Sequence, residues 1–580
     1  MPRIPDVCSS AFCPPDENSN NRKVSLTLSV LLNFGPPRFR YLVSAAGLLL
    51  LFAVHCSLLT QTYAQSATAT LTGTVSDPVG AVVPGVKVAV INIDQGFQRS
   101  TLTNDDGIYT VSILPPGKYT VKAEREGFSP YEVREVILNV NAYIKLDISL
   151  KVGNLAEQNV EINDNPSLID ERPVVGGKVD SKLLELPQNG RTWQNLLTLL
   201  PGIQWSKANG LEQGQFSVNG QRANANSFYI DGVSANIGAP VNANGGQSAA
   251  GSLPGLSASG GTNNLVSIDA MQEFEVETSS YAPEFGRTPG AQVVIATRAG
   301  TNDFHGTLFE YFRNDILDAN DWFANSRGQG KSPLRQNDFG GVLGGPFLFP
   351  RFGEGGKQPW YNGRDKTFFF FSYEGLRLRQ PVFAITQVPS LAARQNAPAR
   401  IQPFLNAFPR PTGPTFANNS AEFAAGFSNP SSFDATSLRI DHHFNNNVSL
   451  FGRYNNSPSE SVQRGTISTS LNTLDSLRIE TQTLTGGATL ILNSKMVAEL
   501  RANYSHNRAQ RFNSLDTFGV QWYRKSRFCF PLSHRELPRA FLSVTRQARL
   551  PALPWVEVRR VYSVNSISLT VFQLSMDRMN

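Results

Sequence analysis

Two adjacent histidines, His442-His443, are the first residues in this chain that could suggest a metal site. On a strand, neighbouring side chains leave opposite faces, so the pair cannot share one ion. Asn104-Asp105-Asp106-Gly107 has the composition of a calcium loop. No bidentate Glu follows at the spacing such a loop needs, so these residues read as a hairpin turn. Gly255, Gly260 and Gly261 do not follow a strand at phosphate-loop spacing. No Ser/His/Asp set stands out, and no Cys/His cluster has zinc spacing. The residues offer no catalytic group, no metal ligand set and no cofactor cradle. The expectation is a protein that is not an enzyme.

Two residue pairs remain whose chemistry is conformational. In "FSVNGQRANANSFYIDGV", Asn219-Gly220 and Asp231-Gly232 lie inside apolar and aromatic flanks. Such pairs suit tight turns in which both central residues take positive φ. They predict two tight hairpin turns close together, followed by a glycine-rich run from Gly238 to Gly261.

The elements around these turns fall into blocks. At 580 residues the chain is too long for one ordinary domain. Its net charge of +6 is concentrated at the two ends, leaving the middle slightly acidic. Nucleic-acid binding would need basic residues clustered within a folded domain, and is not expected. The four cysteines, Cys8, Cys13, Cys56 and Cys529, also lie in the end segments. A body without thiols is compatible with an oxidising compartment.

Residues 1–64 read as a long leader plus a secretory signal peptide. Leu42 to Val54 is apolar, follows Arg38 and Arg40, and gives way to Thr62 and Ala64, with cleavage expected at Ala64. Residues 68–152 alternate apolar and polar residues in short strands, as a β-sandwich does. Residues 160–300 are mixed. Leu183, Leu184 and Leu186, then Trp193, Leu196, Leu197 and Leu200, have helical spacing, and Pro201-Gly202 stops the helix. A helix-like turn and two strands close the block. In residues 301–517, Leu438, Ile440 and Phe444 share a face with His442, and Asn445-Asn446-Asn447 makes the turn. Val448, Leu450 and Tyr454 then alternate with Ser449 and Arg453. Ala498, Leu500, Ala502 and Tyr504 likewise oppose Glu499, Arg501, Asn503 and Ser505. Apolar residues facing lipid and polar ones facing a lumen are the signature of a membrane β-barrel, but soluble sandwich strands alternate in the same way, so the alternation by itself fits both. Residues 518–580 form a basic tail with no sustained period of two. A frameshift near residue 517 accounts for that change of character.

Several stretches resemble known families. "GTVSDPVGAVVPGVKVAV", "TNDDGIYTV" and "LPPGKYTVKAEREGF" resemble the carboxypeptidase regulatory-like domain, a transthyretin-like sandwich. "LPQNGRTW", "LLPGI", "FSVNGQR", "FYIDGV", "MQEFEVETSSYAPEFGR" and "GAQVVIATRAGTNDFHG" resemble, in order, the plug of TonB-dependent outer-membrane receptors, closest to the Oar-like branch. "NDFGGVLGGPF" and "KTFFFFSYEGLRLRQ" resemble the first barrel strands of that branch.

The resemblance implies a mainly β chain: a transthyretin-like β-sandwich, a mixed α/β plug domain and the N-terminal part of an antiparallel transmembrane β-barrel. It also implies a place in the outer membrane, surrounded by lipid. The implied partner is an inner-membrane energy-coupling protein of TonB type. That partner pairs as an added strand with a short segment ahead of the plug. The candidate is "EQNVEIND", centred on Val160, Glu161 and Ile162; the alternative is a plain linker strand. The substrate stays open, with carbohydrate and peptide both compatible. Two other readings stand beside transport. One is an outer-membrane anchor whose sandwich binds carbohydrate or a surface partner through Tyr109, Tyr119, Phe128 and Tyr131. The other is a truncated, non-functional gene product.

Overall fold

The computed structural model describes residues 67–153, 289–350 and 360–520 except 467–468 and 494–495, stretches of 154–288, and the backbone of 560–576. Ala64 and Val160 lie outside the described residues, as does most of Gly238–Gly261.

Eight strands build the first domain: β1 (Ala69–Ser76), β2 (Lys87–Asn92), β3 (Gln98–Leu102), β4 (Ile108–Leu114), β5 (Gly117–Glu124), β6 (Tyr131–Leu138), β7 (Tyr143–Lys145) and β8 (Ile148–Ser149). One sheet contains β4, β1 and β7, with β8 also paired to β1; the other runs β3-β2-β5-β6. Alternation decides which residues face between them. In β5, Tyr119, Val121 and Ala123 are buried while Thr120 and Lys122 are not. Val88, Val90, Leu71 and Tyr109 complete the same core. Burying each large apolar side chain contributes about 1.5–3 kcal/mol. The Asn104–Gly107 turn differs from the expected hairpin. It carries the chain from β3 in one sheet to β4 in the other. Asn104 Oδ1 accepts from the amides of Asp106 (3.1 Å) and Ile108 (2.8 Å). Local turn chemistry is the same in a hairpin and in an inter-sheet corner; which one forms depends on the partners of the flanking strands.

Two short strands follow on the connecting chain. β9 (Glu161–Asn163) adds to β6, and β10 (Ile169–Asp170) adds to β7. The mixed domain then contains β11 (Val175–Val179), a helix at Gln194–Leu197, β12 (Ile203–Trp205), β13 (Phe216–Val218), β14 (Ser227–Ile230), β15 (Val233–Ser234), β16 (Met271–Ser279) and β17 (Gln292–Thr297). Its main sheet has the order β11-β16-β17-β14-β15. All six residues of β17 are buried, as expected for an apolar run covered on both faces.

The last block is an eight-stranded sheet of β18 (His305–Asn314), β19 (Arg335–Pro346), β22 (Thr367–Pro389), β23 (Ser420–Asn445), β24 (Val448–Arg464), β25 (Thr473–Asn493), β26 (Met496–Leu515) and β27 (Arg560–Met576). Each consecutive pair in that order is antiparallel. Between β19 and β22, β20 (Leu348–Pro350) and β21 (Trp360–Asn362) form a separate two-stranded sheet. Register lines up an apolar row across it: Leu343, Phe371, Leu438, Tyr454, Leu484 and Tyr504 are successive cross-strand partners. All six are exposed, Leu484 by 55%. On the opposite face Arg453, Asn455, Ser457, Thr485, Arg501 and Asn503 are buried. An outward apolar band with a polar inner face is what lipid on one side and a filled lumen on the other require.

The tail differs from the expectation of a patternless segment. Arg560–Met576 pairs with β26 from Met496↔Met576 to Arg511↔Arg560. Only "SISLTV" alternates cleanly in the sequence. An unpaired edge of β26 supplies the rest, because its row of amides and carbonyls is satisfied by any extended chain laid beside it.

Candidate functional site

The mixed domain lies against the polar face of the long sheet, and its Asp231-Gly232 turn carries a carboxylate to that face. Asp231 and Gly232 have φ values of 49° and 78°, the left-handed region that a two-residue hairpin turn requires. The turn joins β14 to β15, with Ile230 opposite Val233. It projects Asp231 at two arginines of the long sheet. Arg439 Nη1 stands 3.2 Å from Asp231 Oδ1, and Arg453 Nη1 stands 3.2 Å from Oδ2. Thr297, at the end of β17, donates its amide (3.0 Å) and hydroxyl (2.9 Å) to the same carboxylate.

Other groups complete the charge balance. Arg439 Nη2 is 2.8 Å from Asp441 Oδ1. Arg453 Nη2 donates to the Leu265 carbonyl at 2.6 Å. Arg501 donates to the Asp231 carbonyl and to Glu499. The guanidinium carbons of Arg439 and Arg501 lie 4.8 and 5.5 Å from the centre of the Phe451 ring. Three carboxylates thus meet three guanidinium groups. Arg439 and Arg453 are directly opposite in the β23–β24 register. Like charges at such positions repel, and an anion between them removes the penalty. Asp231 supplies it.

Burial alone would raise the Asp231 carboxyl, but the Arg439 and Arg453 guanidinium groups and the Thr297 hydrogen bonds hold it below its ordinary value of 3.8. A depressed folded-state pKa contributes stability that is fully present above the unfolded value and is lost as pH falls through the folded value. Acidifying from about pH 7 to about pH 5 should therefore leave the protection factors across Ser227–Ile230 unchanged once the intrinsic pH dependence of exchange is divided out. Loosening should begin only below pH 3.8. Loss of protection already at about pH 5 would show that the carboxylate is not held in this way.

Beside the cluster lies a cavity of about 340 Å³ bounded by all three domains, with Asp94, Arg99, Asp231, Arg439, Asp441 and Glu499 among its lining. The sandwich closes it from the end of the long sheet where turns are short. There Asn445 Oδ1 accepts from the Asn447 (2.8 Å) and Val448 (2.9 Å) amides. Gln95 Nε2 donates to the Gly300 carbonyl at 2.9 Å, and the Asn302 amide donates to the Asp94 carbonyl at 2.9 Å. Phe97 packs on His443, with ring centres 5.0 Å apart. His442 points the other way, 2.7 Å from the Thr367 hydroxyl, so the two histidines do not converge. Among the described residues no cluster of His, Cys, Asp and Glu could hold a metal ion.

The other sequence-derived positions are spread apart. Asn219 and Gly220 have positive φ values of 49° and 75°. Their turn follows β13, which pairs with β12, whereas β14 belongs to another sheet. It redirects the chain between sheets rather than closing a hairpin, because β13 and β14 have different partners. Glu161 and Ile162 lie in β9 on the sandwich edge. Tyr109 and Tyr119 are core residues, 1% and 0% exposed, and Tyr131 is buried as well, so these aromatics form no surface patch. Arg439, Thr297 and their link to Asp231 were not legible by alternation, which marks a face but not a partner. The signal that bears on them is the Asn445–Asn447 turn, which sets a register placing Arg439 against Arg453.

Residues 70–151 match the family model described as carboxypeptidase regulatory-like domain, residues 176–291 the TonB-dependent receptor plug domain, and residues 296–399 and 394–526 an outer membrane beta barrel domain. Over 303 residues the chain is 30% identical to the TonB-dependent transporter Oar of Myxococcus xanthus. That match covers 49% of this chain and 26% of the relative, so the chain spans about a quarter of the length of the curated relative it matches. Among solved structures, the outer membrane transporter YddB from Escherichia coli gives a TM-score of 0.37 at 10% identity, covering 59% of this chain and 40% of that one. A mutant of the ferric enterobactin receptor PfeA from Pseudomonas aeruginosa gives a TM-score of 0.37 at 14% identity, covering 59% and 42%.

Proposed function

We propose that this chain, a member of the TonB-dependent outer-membrane transporter family, carries the plug-bearing part of a substrate importer. Its place is the outer membrane, and its family is not an enzyme class. The observation that supports the reading best is the seat of Asp231 between Arg439 and Arg453. A plug must block the lumen at rest and leave it, or rearrange in it, on demand. Ion pairs suit that task. They hold the plug through a few directional contacts whose charges the lumen water can solvate once the contacts part. More than this turn must part, since Ser267 also donates to Glu374, and Val342 and Phe370 of the long sheet pack into the plug core.

Demand comes, in this reading, from an inner-membrane coupling protein of TonB type, which pairs with Val160, Glu161 and Ile162 and pulls. Val160→Pro removes a backbone donor and cannot extend a sheet. A pull-down of the full chain with the periplasmic domain of the coupling protein should lose most of its signal in this variant. Undiminished binding would place the coupling segment elsewhere. The substrate class stays open between carbohydrate and peptide.

A further inference from the structure

The chain segment between sandwich and plug is not a free tether. β9 pairs in parallel with β6, with Tyr131 opposite Glu161, Glu132 opposite Ile162 and Val133 opposite Asn163. β10 then pairs with β7, in the other sheet of the sandwich, with Ile169 opposite Lys145. Leu168 packs against the sandwich core. The segment is therefore fastened to both sheets before the plug begins at β11. Among the described residues β9 has a single strand neighbour and ends the order β3-β2-β5-β6-β9.

An edge strand presents one row of backbone amides and carbonyls to its neighbour and a second row outwards. We infer that the sandwich holds Glu161–Asn163 as a presented edge, and that a strand of the coupling partner adds to β9's outer side while β9 stays on β6. The result is one sheet running from the sandwich into the partner. This rests on the reading of Val160–Ile162 as the coupling segment. The competing route is displacement, in which β9 leaves β6 to pair with the partner alone. Displacement must break the existing β6–β9 ladder and strand the β6 edge. Addition breaks no pairing of β9 and satisfies backbone groups that have no strand partner among the described residues. The anchoring of Leu168 and β10 works in the same direction, since it restrains β9 from moving away from the sandwich. The sandwich then has a role in coupling: a pull on β9 is shared between the sandwich and the plug strand that follows.

The test is a clamp. Glu132 and Ile162 are register partners, and neighbouring strands lie about 4.8 Å apart, inside the Cα separation that a disulfide spans. In the full chain, with the native cysteines replaced by serine, Glu132→Cys with Ile162→Cys would lock β9 onto β6 when oxidised. The probe is the periplasmic domain of the coupling protein. Binding of the oxidised clamp should match that of its reduced form within about twofold. Hydrogen exchange on the unclamped chain should show residues 131–133 as protected with the partner as without it, and residues 161–163 newly protected. Loss of binding on oxidation, or loss of protection at residues 131–133, would establish displacement and overturn the inference. If residues 161–163 gain no protection and Val160→Pro binds normally, the coupling segment lies elsewhere and the earlier reading fails with this one.

Discussion

Replacing Asp231 by alanine should unlock the plug. Arg439 and Arg453 would then face one another across β23 and β24 with no anion between them. Removing one partner of a buried ion pair costs about 3–5 kcal/mol, most of it from the charge left without compensation. The expected result is faster hydrogen exchange across Ser227–Ser234 and Gln292–Thr297, with the exchange of β24–β26 in the barrel nearly unchanged. Asp231→Asn should behave similarly, since the amide keeps the shape but not the charge. The decisive comparison is Asp231→Ala combined with Arg453→Met. If the two groups act as a pair, the double variant is less destabilised than the sum of the singles by about 1–3 kcal/mol. Strict additivity would show that the contact carries no interaction energy, and the lock would have to be sought elsewhere.

Replacing Gly73 by alanine should cost the sandwich nearly as much. Gly73 lies in β1, directly under the chain that crosses from β7 to β8. A Cβ at this position would stand 1.9 Å from the Leu146 carbonyl oxygen and 2.6 Å from its carbon. Those atoms cannot rotate away, because they are backbone and pinned from two sides. The Leu146 amide donates to the Thr72 carbonyl at 2.8 Å, and the Tyr109 hydroxyl donates to the Leu146 carbonyl at 2.7 Å. Overpacking a core costs about 1–3 kcal/mol, and a clash with pinned backbone belongs at the upper end. For a domain of this size about 3 kcal/mol lowers the melting temperature by roughly 12–24 °C. Thermal unfolding of residues 67–153 measures it, since every buried residue of that core lies in the segment and only the half-buried Leu168 packs on it from outside. Tyr109→Phe serves as the scale: losing one hydrogen bond while keeping the ring should cost about 1 kcal/mol. A Gly73→Ala domain that melts like the wild type would mean that the crossing chain is free to lift.

Much of this architecture was already present in the chain of residues, and the reason is the range over which each signal acts. Alternation is a two-residue signal. It assigned Leu438, Ile440 and Tyr454 to one face and Arg453 and Arg501 to the other without any knowledge of neighbours, and the exposed and buried faces of the sheet follow it. Turn chemistry is equally local, so the positive φ at Asn219, Gly220, Asp231 and Gly232 is a property of those residues and their immediate flanks. The ordered motifs of sandwich, plug and barrel carried the family for the same reason. Tertiary structure alone decided what each local element pairs with. Asp231-Gly232 closes a hairpin and Asn219-Gly220 does not, because β13 and β14 go to different sheets. Asn104–Gly107 became a corner between sheets for the same cause. β27 formed where only six residues alternate, since the edge of β26 supplied the missing specification. The lock lies furthest from sequence. Asp231 and Arg453 are 222 positions apart, and their attraction exists only once the plug is seated against the sheet and water is excluded between them. A charge in a sequence has no partner until the fold sets its distance and its dielectric, and those two quantities determine whether it repels, is solvated or holds a domain in place.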